Sequence, residues 1–174
     1  YYDRELISLA AQRAQVREEL FVDKDEKAAN PWLFKGFYEG GPRVKQGQSA
    51  EDILFQMQSE VIQELSEKSS CIIVGRCADY ILKDRDPFRI FVYADTQSKL
   101  ERCMQRKPAD EKFTPQEMKR KMAEIDRGRA QYCAFFSDQK WGSREHYDLL
   151  VNTSGADIKK ITAAVAGYLE HLAE

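Results

Sequence analysis

The chain has 174 residues, 43% of them hydrophobic and 32% charged, enough apolar material for the core of one domain. Lys and Arg total 27 against 29 for Asp and Glu, a net charge of −2 that excludes a strongly basic polyanion binder by bulk charge. No run of about 18 apolar residues occurs, and the opening Tyr-Tyr-Asp-Arg-Glu-Leu has no basic-then-apolar leader, so a cytoplasmic protein with neither membrane nor nucleic-acid partners is expected.

The elements alternate along the chain. Asp3 to Leu20 reads as a helix, with Asp3 as its cap and Leu6, Leu9 and Ala10 on one face. Residues 23 to 48 read as a long loop. Asn30-Pro31, Gly36, Gly40-Gly41-Pro42 and Gly47 break regular structure there, while Trp32, Phe34, Phe37 and Tyr38 can anchor it. A loop of that length in a compact domain is often functional. Ser49 to Lys68 is a helix, capped by Ser49 and Asp52, with Ile53, Met57, Val61, Ile62 and Leu65 on its apolar face.

Cys71 to Val74 reads as a strand buried on both faces, ending at Gly75-Arg76. Cys77 to Leu82 is a short helix, Phe88 to Ala94 a second strand, and Thr96 to Lys107 a helix. Thr114-Pro115-Gln116-Glu117 combines a hydroxyl cap, a proline at the first helical position and a glutamate three residues after the cap. That helix runs to about Phe136. Tyr147 to Asn152 is a third strand, and Ser154 to Glu174 a closing amphipathic helix. Strands alternating with helices predict an α/β fold with a parallel sheet covered by helices.

The four cysteines, at 71, 77, 103 and 133, contain no Cys-x-x-Cys pair, and the two histidines, His146 and His171, lie apart. That spacing argues against a metal site and leaves the cysteines as reduced thiols. It also gives no Ser/His/Asp arrangement for triad hydrolysis.

In an open parallel sheet, ligands bind beyond the carboxyl ends of the strands. Asp3, Arg76 with Asp79, and Asp95 all follow strand exits. Asp95 precedes Thr96 and is read first as a helix cap. Arg76 is read as an anion binder, because a guanidinium directly after a buried strand suits phosphate or carboxylate. A second basic group holds Arg102, Arg106, Lys107, Lys112, Lys119, Arg120, Lys121, Arg127 and Arg129. Two readings stay open for it. It is a solvated helix face paired with Glu117 and Glu124, or a flap that brings positive charge over a polyphosphate.

At Tyr-Tyr-Asp-Arg-Glu-Leu-Ile (1 to 7) and Ile-Ile-Val-Gly-Arg-Cys-Ala-Asp-Tyr-Ile-Leu (72 to 82), the chain resembles the cytidylate kinase-like family of P-loop nucleoside monophosphate kinases. The likeness continues through Trp141-Gly142 and Tyr147-Asp148-Leu149 into the last helix. It implies a single domain, three-layered α/β/α and P-loop kinase-like, with an acceptor-binding insertion over about 23–68 and a helical lid over about 106–133. It also implies transfer of the γ-phosphate of ATP, with Mg2+, to a nucleoside monophosphate, CMP or dCMP by default. Asp3 matches an aspartate beside the acceptor nucleotide. Arg76 and Asp79 fall near a Gly-Arg-Asp motif that holds the acceptor phosphate, although Cys77-Ala78 stands before Asp79 here. Asp126-Arg127-Gly128-Arg129 resembles the lid's Asp-Arg-x-Arg, so Arg127 and Arg129, with Arg106 at the lid entrance, are the expected catalytic cations.

One departure is large. The family opens with a strand and a glycine-rich phosphate loop, and no Gly-x-x-x-x-Gly-Lys-Ser pattern occurs in these residues. The backbone cradle for donor phosphates is therefore not supplied by them. The expectation is that such a segment lies upstream of Tyr1. Without one, the alternative is a non-catalytic nucleotide-sensing or protein-binding module that keeps the fold. A kinase for another small acceptor is a third reading, because fold does not fix substrate.

Overall fold

A computed structural model of the chain describes residues 1–3, 6, 50–107 and 112–172. The expected loop over 23–48, the Ser49 cap and nearly all of the expected first helix lie outside the described residues. The described elements are α1 (Ala50–Lys68), α2 (Ala78–Ile81), β1 (Ile90–Tyr93), α3 (Thr96–Arg106), α4 (Pro115–Ser137), β2 (Leu149–Asn152) and α5 (Ile158–Leu172). Short 3₁₀ turns lie at Lys83–Arg85 and Arg144–His146.

The chain divides into two compact units: Tyr1–Pro87 with Arg127–Trp141, and Phe88–Asp126 with Gly142–Glu174. The core of the first unit is Leu6, Val61, Ile62, Ala78 and Leu82, with Tyr2, Leu65, Ile73 and Ile81 packed against it. Val61, Ile62 and Leu65 are on the apolar face read from the sequence of α1. A second layer is aromatic. Phe55 stacks on Phe136 with ring centroids 4.1 Å apart, and Tyr132 packs on Phe136 at 4.8 Å. Gln58, only 1% exposed, enters this layer, and its Oε1 accepts a 3.1 Å hydrogen bond from the Tyr132 hydroxyl.

The segment expected as a strand at 71–74 pairs in parallel with Tyr2 through the single bridge Tyr2↔Ile73. Tyr2 N–H donates to the Ile72 carbonyl (2.8 Å), and Val74 N–H donates to the Tyr2 carbonyl (3.0 Å). The sequence reading had both faces buried, and this is corrected. Ile73 packs on the core, whereas Ile72 is 66% exposed and Val74 is also exposed. Strand side chains alternate, so the one core beneath Ile73 leaves its two neighbours pointing away.

In the second unit, β1 and β2 are parallel neighbours in register Ile90↔Leu149 to Tyr93↔Asn152. A parallel pair needs a crossover, and the chain between the strands passes through α3 and α4. The helix starts follow the local signals. Asp95 accepts from Ser98 N–H at 2.7 Å and so caps α3, as read. Thr114 Oγ1 accepts from Glu117 N–H (3.2 Å), and Glu117 Oε2 accepts from Thr114 N–H (2.8 Å), a reciprocal box that opens α4. The last helix begins at Ile158, later than the expected Ser154. Gly155 has φ +61°, so the chain turns there, and Asn152 Oδ1 accepts from Ser154 N–H before the helix can start.

Candidate functional site

Parallel pairing of Tyr2 with Ile73 decides the geometry of the first unit. Both segments run the same way, so Asp3 and Gly75-Arg76 leave at the same, carboxyl end of the pair. That is the end where open parallel sheets bind ligands. Asp3 is half-buried, and its Oδ2 accepts a 3.3 Å hydrogen bond from the Tyr1 hydroxyl.

The turn after Val74 is backbone of an unusual kind. Gly75, Arg76 and Cys77 have φ of 72°, 60° and 51° in succession. Glycine adopts this region freely, but each L residue there costs roughly 1–2 kcal/mol. The turn is held by Ala78 N–H donating to the Gly75 carbonyl (3.1 Å) and by Ile81 N–H donating to the Cys77 carbonyl (2.9 Å). Cys77 is the N-cap of α2. The fold thus holds two consecutive non-glycine residues in a costly conformation, and the first of them is a buried arginine, 6% exposed. Two of the Arg76 nitrogens, Nε and Nη1, are buried. Asp79 sits half-buried in the first turn of α2.

Arg127 and Arg129, on the last half of α4, belong to this same unit and are exposed. Arg106 ends α3 in the second unit and is exposed there. Asp126 of the lid-like motif is held by Lys99 Nζ at 2.7 Å. Not every member of the basic group is available to a ligand. Arg102 donates from Nε to the Ser98 carbonyl and from Nη1 to the Thr153 carbonyl, both at 3.2 Å, and so ties α3 to the loop after β2. Lys121 lies 4.3 Å from the centre of the Phe113 ring. On α1, Gln56 is exposed and donates to Glu60, whereas Gln58 is buried.

Sequence reasoning missed the ion pair of Arg89 with Asp148, two residues too far apart in the chain for any local pattern to link. Nη2 of Arg89 lies 3.1 Å from Oδ1, while Nε and the backbone N–H both reach Oδ2.

Among the described residues no group of three or more His, Cys, Asp or Glu is placed to hold a metal ion, and no helix is long and apolar enough to cross a membrane. Magnesium in phosphoryl transfer is bound largely through substrate phosphates, so it does not require such a group among the described residues.

A solved structure, that of an uncharacterized protein from Eubacterium ventriosum, is 27% identical to this chain. The match covers 70% of this chain and 74% of that one, with a TM-score of 0.61, in keeping with a mixed α/β fold. No curated protein matches. The model of the cytidylate kinase-like family matches residues 1–155, which span both strand exits, the Gly75-Arg76 turn and the basic helix, and the chain belongs to that family.

Proposed function

We propose that the protein is a nucleoside monophosphate kinase of the P-loop class, three-layered and acting in the cytoplasm, with CMP or dCMP as its acceptor. The observation that carries this reading is the Gly75-Arg76-Cys77 turn. A fold keeps a buried arginine in left-handed backbone at a strand exit only if the surrounding structure over-determines it, and such strain concentrates at ligand sites. Arg76 is assigned to the acceptor phosphate, with Asp3 and Asp79 beside the acceptor nucleotide. Arg127 and Arg129, with Arg106, are assigned to the charge that spreads over the transferring phosphoryl group. The single domain carries its acceptor-binding insertion over about 23–68 and its lid over about 106–133.

The acceptor phosphate is already ionised at neutral pH, so its oxygen needs no strong base to attack the γ-phosphorus of ATP. What these residues supply is position and compensating charge. The donor phosphates need a glycine-rich cradle that this sequence does not contain, so no role in donor binding is assigned to any residue here.

A coupled assay of the full-length protein, with Mg2+ and ATP, against a panel of nucleoside monophosphates tests the reading. Turnover of CMP or dCMP is expected, with Arg76→Ala raising the acceptor KM by tenfold or more, on the order of one charge-assisted contact. No turnover with any monophosphate overturns it. Monophosphate binding without turnover would favour the nucleotide-sensing module instead.

A further inference from the structure

We propose that Gly128 is a joint in α4, the place where this helix bends. α4 runs unbroken over 23 residues, Pro115–Ser137, and Gly128 stands in its interior. The first half is anchored within the second unit. The Thr114/Glu117 box fixes its start, and Asp126 Oδ2 accepts from Lys99 Nζ of α3 at 2.7 Å. The last half is anchored within the first unit, where the Tyr132 hydroxyl donates to Gln58 and the Phe136 ring stacks on Phe55 of α1. The boundary between the two units falls between Asp126 and Arg127, beside Gly128.

After proline, glycine is the residue least suited to a helix interior, because it loses the most backbone freedom on ordering. At Gly75, Gly142 and Gly155 the backbone demands it, with φ of 72°, 76° and 61°. Gly128 meets no such demand. It lies in right-handed helix, which alanine adopts at lower cost. Gly167 is a second helical glycine, but α5 lies wholly within one unit, so no change of anchorage occurs along it. What sets Gly128 apart is its place between two anchorages.

A helix held at both ends bends where its backbone hydrogen bonds open most easily. Glycine has no side chain to shield the ladder, so water competes for the carbonyls of the preceding turn. Opening there is a local event that leaves the packed parts of the fold intact. Arg127 and Arg129 flank the joint, and both are exposed. A bend re-aims their guanidinium groups while the Lys99–Asp126 pair and the Phe55–Phe136 stack stay in place. Hinges of this kind are few in residues and often small in side chain. The consequence for catalysis rests on the kinase reading, in which these arginines meet the transferring phosphoryl group, but the joint itself does not.

The test uses the full-length protein, its Gly128→Ala variant, and Gly167→Ala as a control, since a Cβ at Gly167 meets nothing within 4 Å. Each substitution should raise the melting temperature by about 2–4 °C. Residue-level amide hydrogen exchange, with no nucleotide present, is the deciding measurement. The amides of Arg129 to Tyr132 have hydrogen bonds that span Gly128. In the parent they should exchange roughly tenfold faster than those of Met122 to Asp126 and of Cys133 to Phe136. Gly128→Ala should remove that difference, and Gly167→Ala should leave it unchanged. In a parent that turns over monophosphates, Gly128→Ala should also lower kcat with the acceptor KM unchanged. A lower melting temperature for Gly128→Ala, or its failure to fold, would mean that the glycine serves close packing and overturns the proposal. Even protection along α4 of the parent overturns it too, and that measurement needs no variant. A parent without turnover would remove the kinase reading and leave the exchange pattern to decide the joint. Slowed exchange with unchanged kcat would overturn its part in catalysis.

Discussion

A Cβ placed on Gly142 would stand 2.9 Å from Cζ of Phe91 and 3.2 Å from its Cε1. The ring is not free to give way cheaply, because it also packs on Tyr147 at a centroid distance of 4.8 Å. Gly142 has φ +76° as well, where an L side chain is strained even in open space. Gly142→Ala is therefore expected to destabilise the protein by about 1–3 kcal/mol. Chemical denaturation should show a lower midpoint with unchanged slope. In a Phe91→Leu background the penalty should shrink to about the backbone part, roughly 1 kcal/mol. An Ala variant as stable as the parent would remove this account of the Trp141-Gly142 pair.

The ion pair of Arg89 and Asp148 joins the residue before β1 to the residue before β2, and so fixes the register of the two parallel strands at their start. Hydrogen bonds from the Arg89 side chain, then from its backbone N–H, hold the Asp148 carboxyl below its usual range. A carboxyl with a depressed pKa in the folded state stabilises above its unfolded pKa of about 3.9, and that contribution is lost as pH falls through the lower folded value. Both side chains are about one-third exposed, so solvent and salt cut the effect to roughly 0.5–1 kcal/mol. Asp148→Asn should therefore be less stable than the parent at pH 7. The gap should close progressively as the pH is lowered below 4. A gap that stays constant to pH 2 would show that the charge of Asp148 contributes nothing.

The sequence was most legible where structure is local. The Asp95 cap and the Thr114/Glu117 box each lie within four residues, and both stand as read. The Gly75-Arg76 exit was readable because glycine before a charged residue at the end of an apolar run is a short signal. What failed needed knowledge of distant neighbours. The run at 71–74 is apolar throughout, yet exposure depends on which layers cover it, and Ile72 and Val74 face away from the described core. Arg102 looked like one cation among many, and only the fold puts the Thr153 carbonyl within its reach.

Gln58 and Tyr132 bring a polar link into an apolar layer. The Gln58 carbonyl oxygen, in a side chain that is almost wholly buried, accepts from the Tyr132 hydroxyl. Tyr132→Phe keeps the ring and its packing on Phe55 and Phe136 but takes the donor away. A buried acceptor left unsatisfied costs about 1–3 kcal/mol. The double variant Gln58→Leu with Tyr132→Phe removes both partners and is expected to recover much of that loss. Thermal or denaturant unfolding of the two single variants and the double variant measures the coupling. Single variants that simply add would show that the hydrogen bond carries no energy of its own.

The left-handed backbone of Arg76 allows its structural and functional parts to be separated. Arg76→Gly and Arg76→Ala both delete the guanidinium and leave nearly the same space behind. They differ in the backbone, where glycine takes φ 60° without the Cβ penalty. The Gly variant should therefore be the more stable by about 1 kcal/mol, less the greater unfolded-state entropy of glycine. If the arginine serves the acceptor phosphate, the two variants should lose acceptor affinity equally despite that difference in stability. Equal stability of the two would show that the turn at Gly75-Arg76-Cys77 stores no strain. Acceptor affinity that tracks stability across the pair would show that Arg76 acts through the fold and never meets the phosphate.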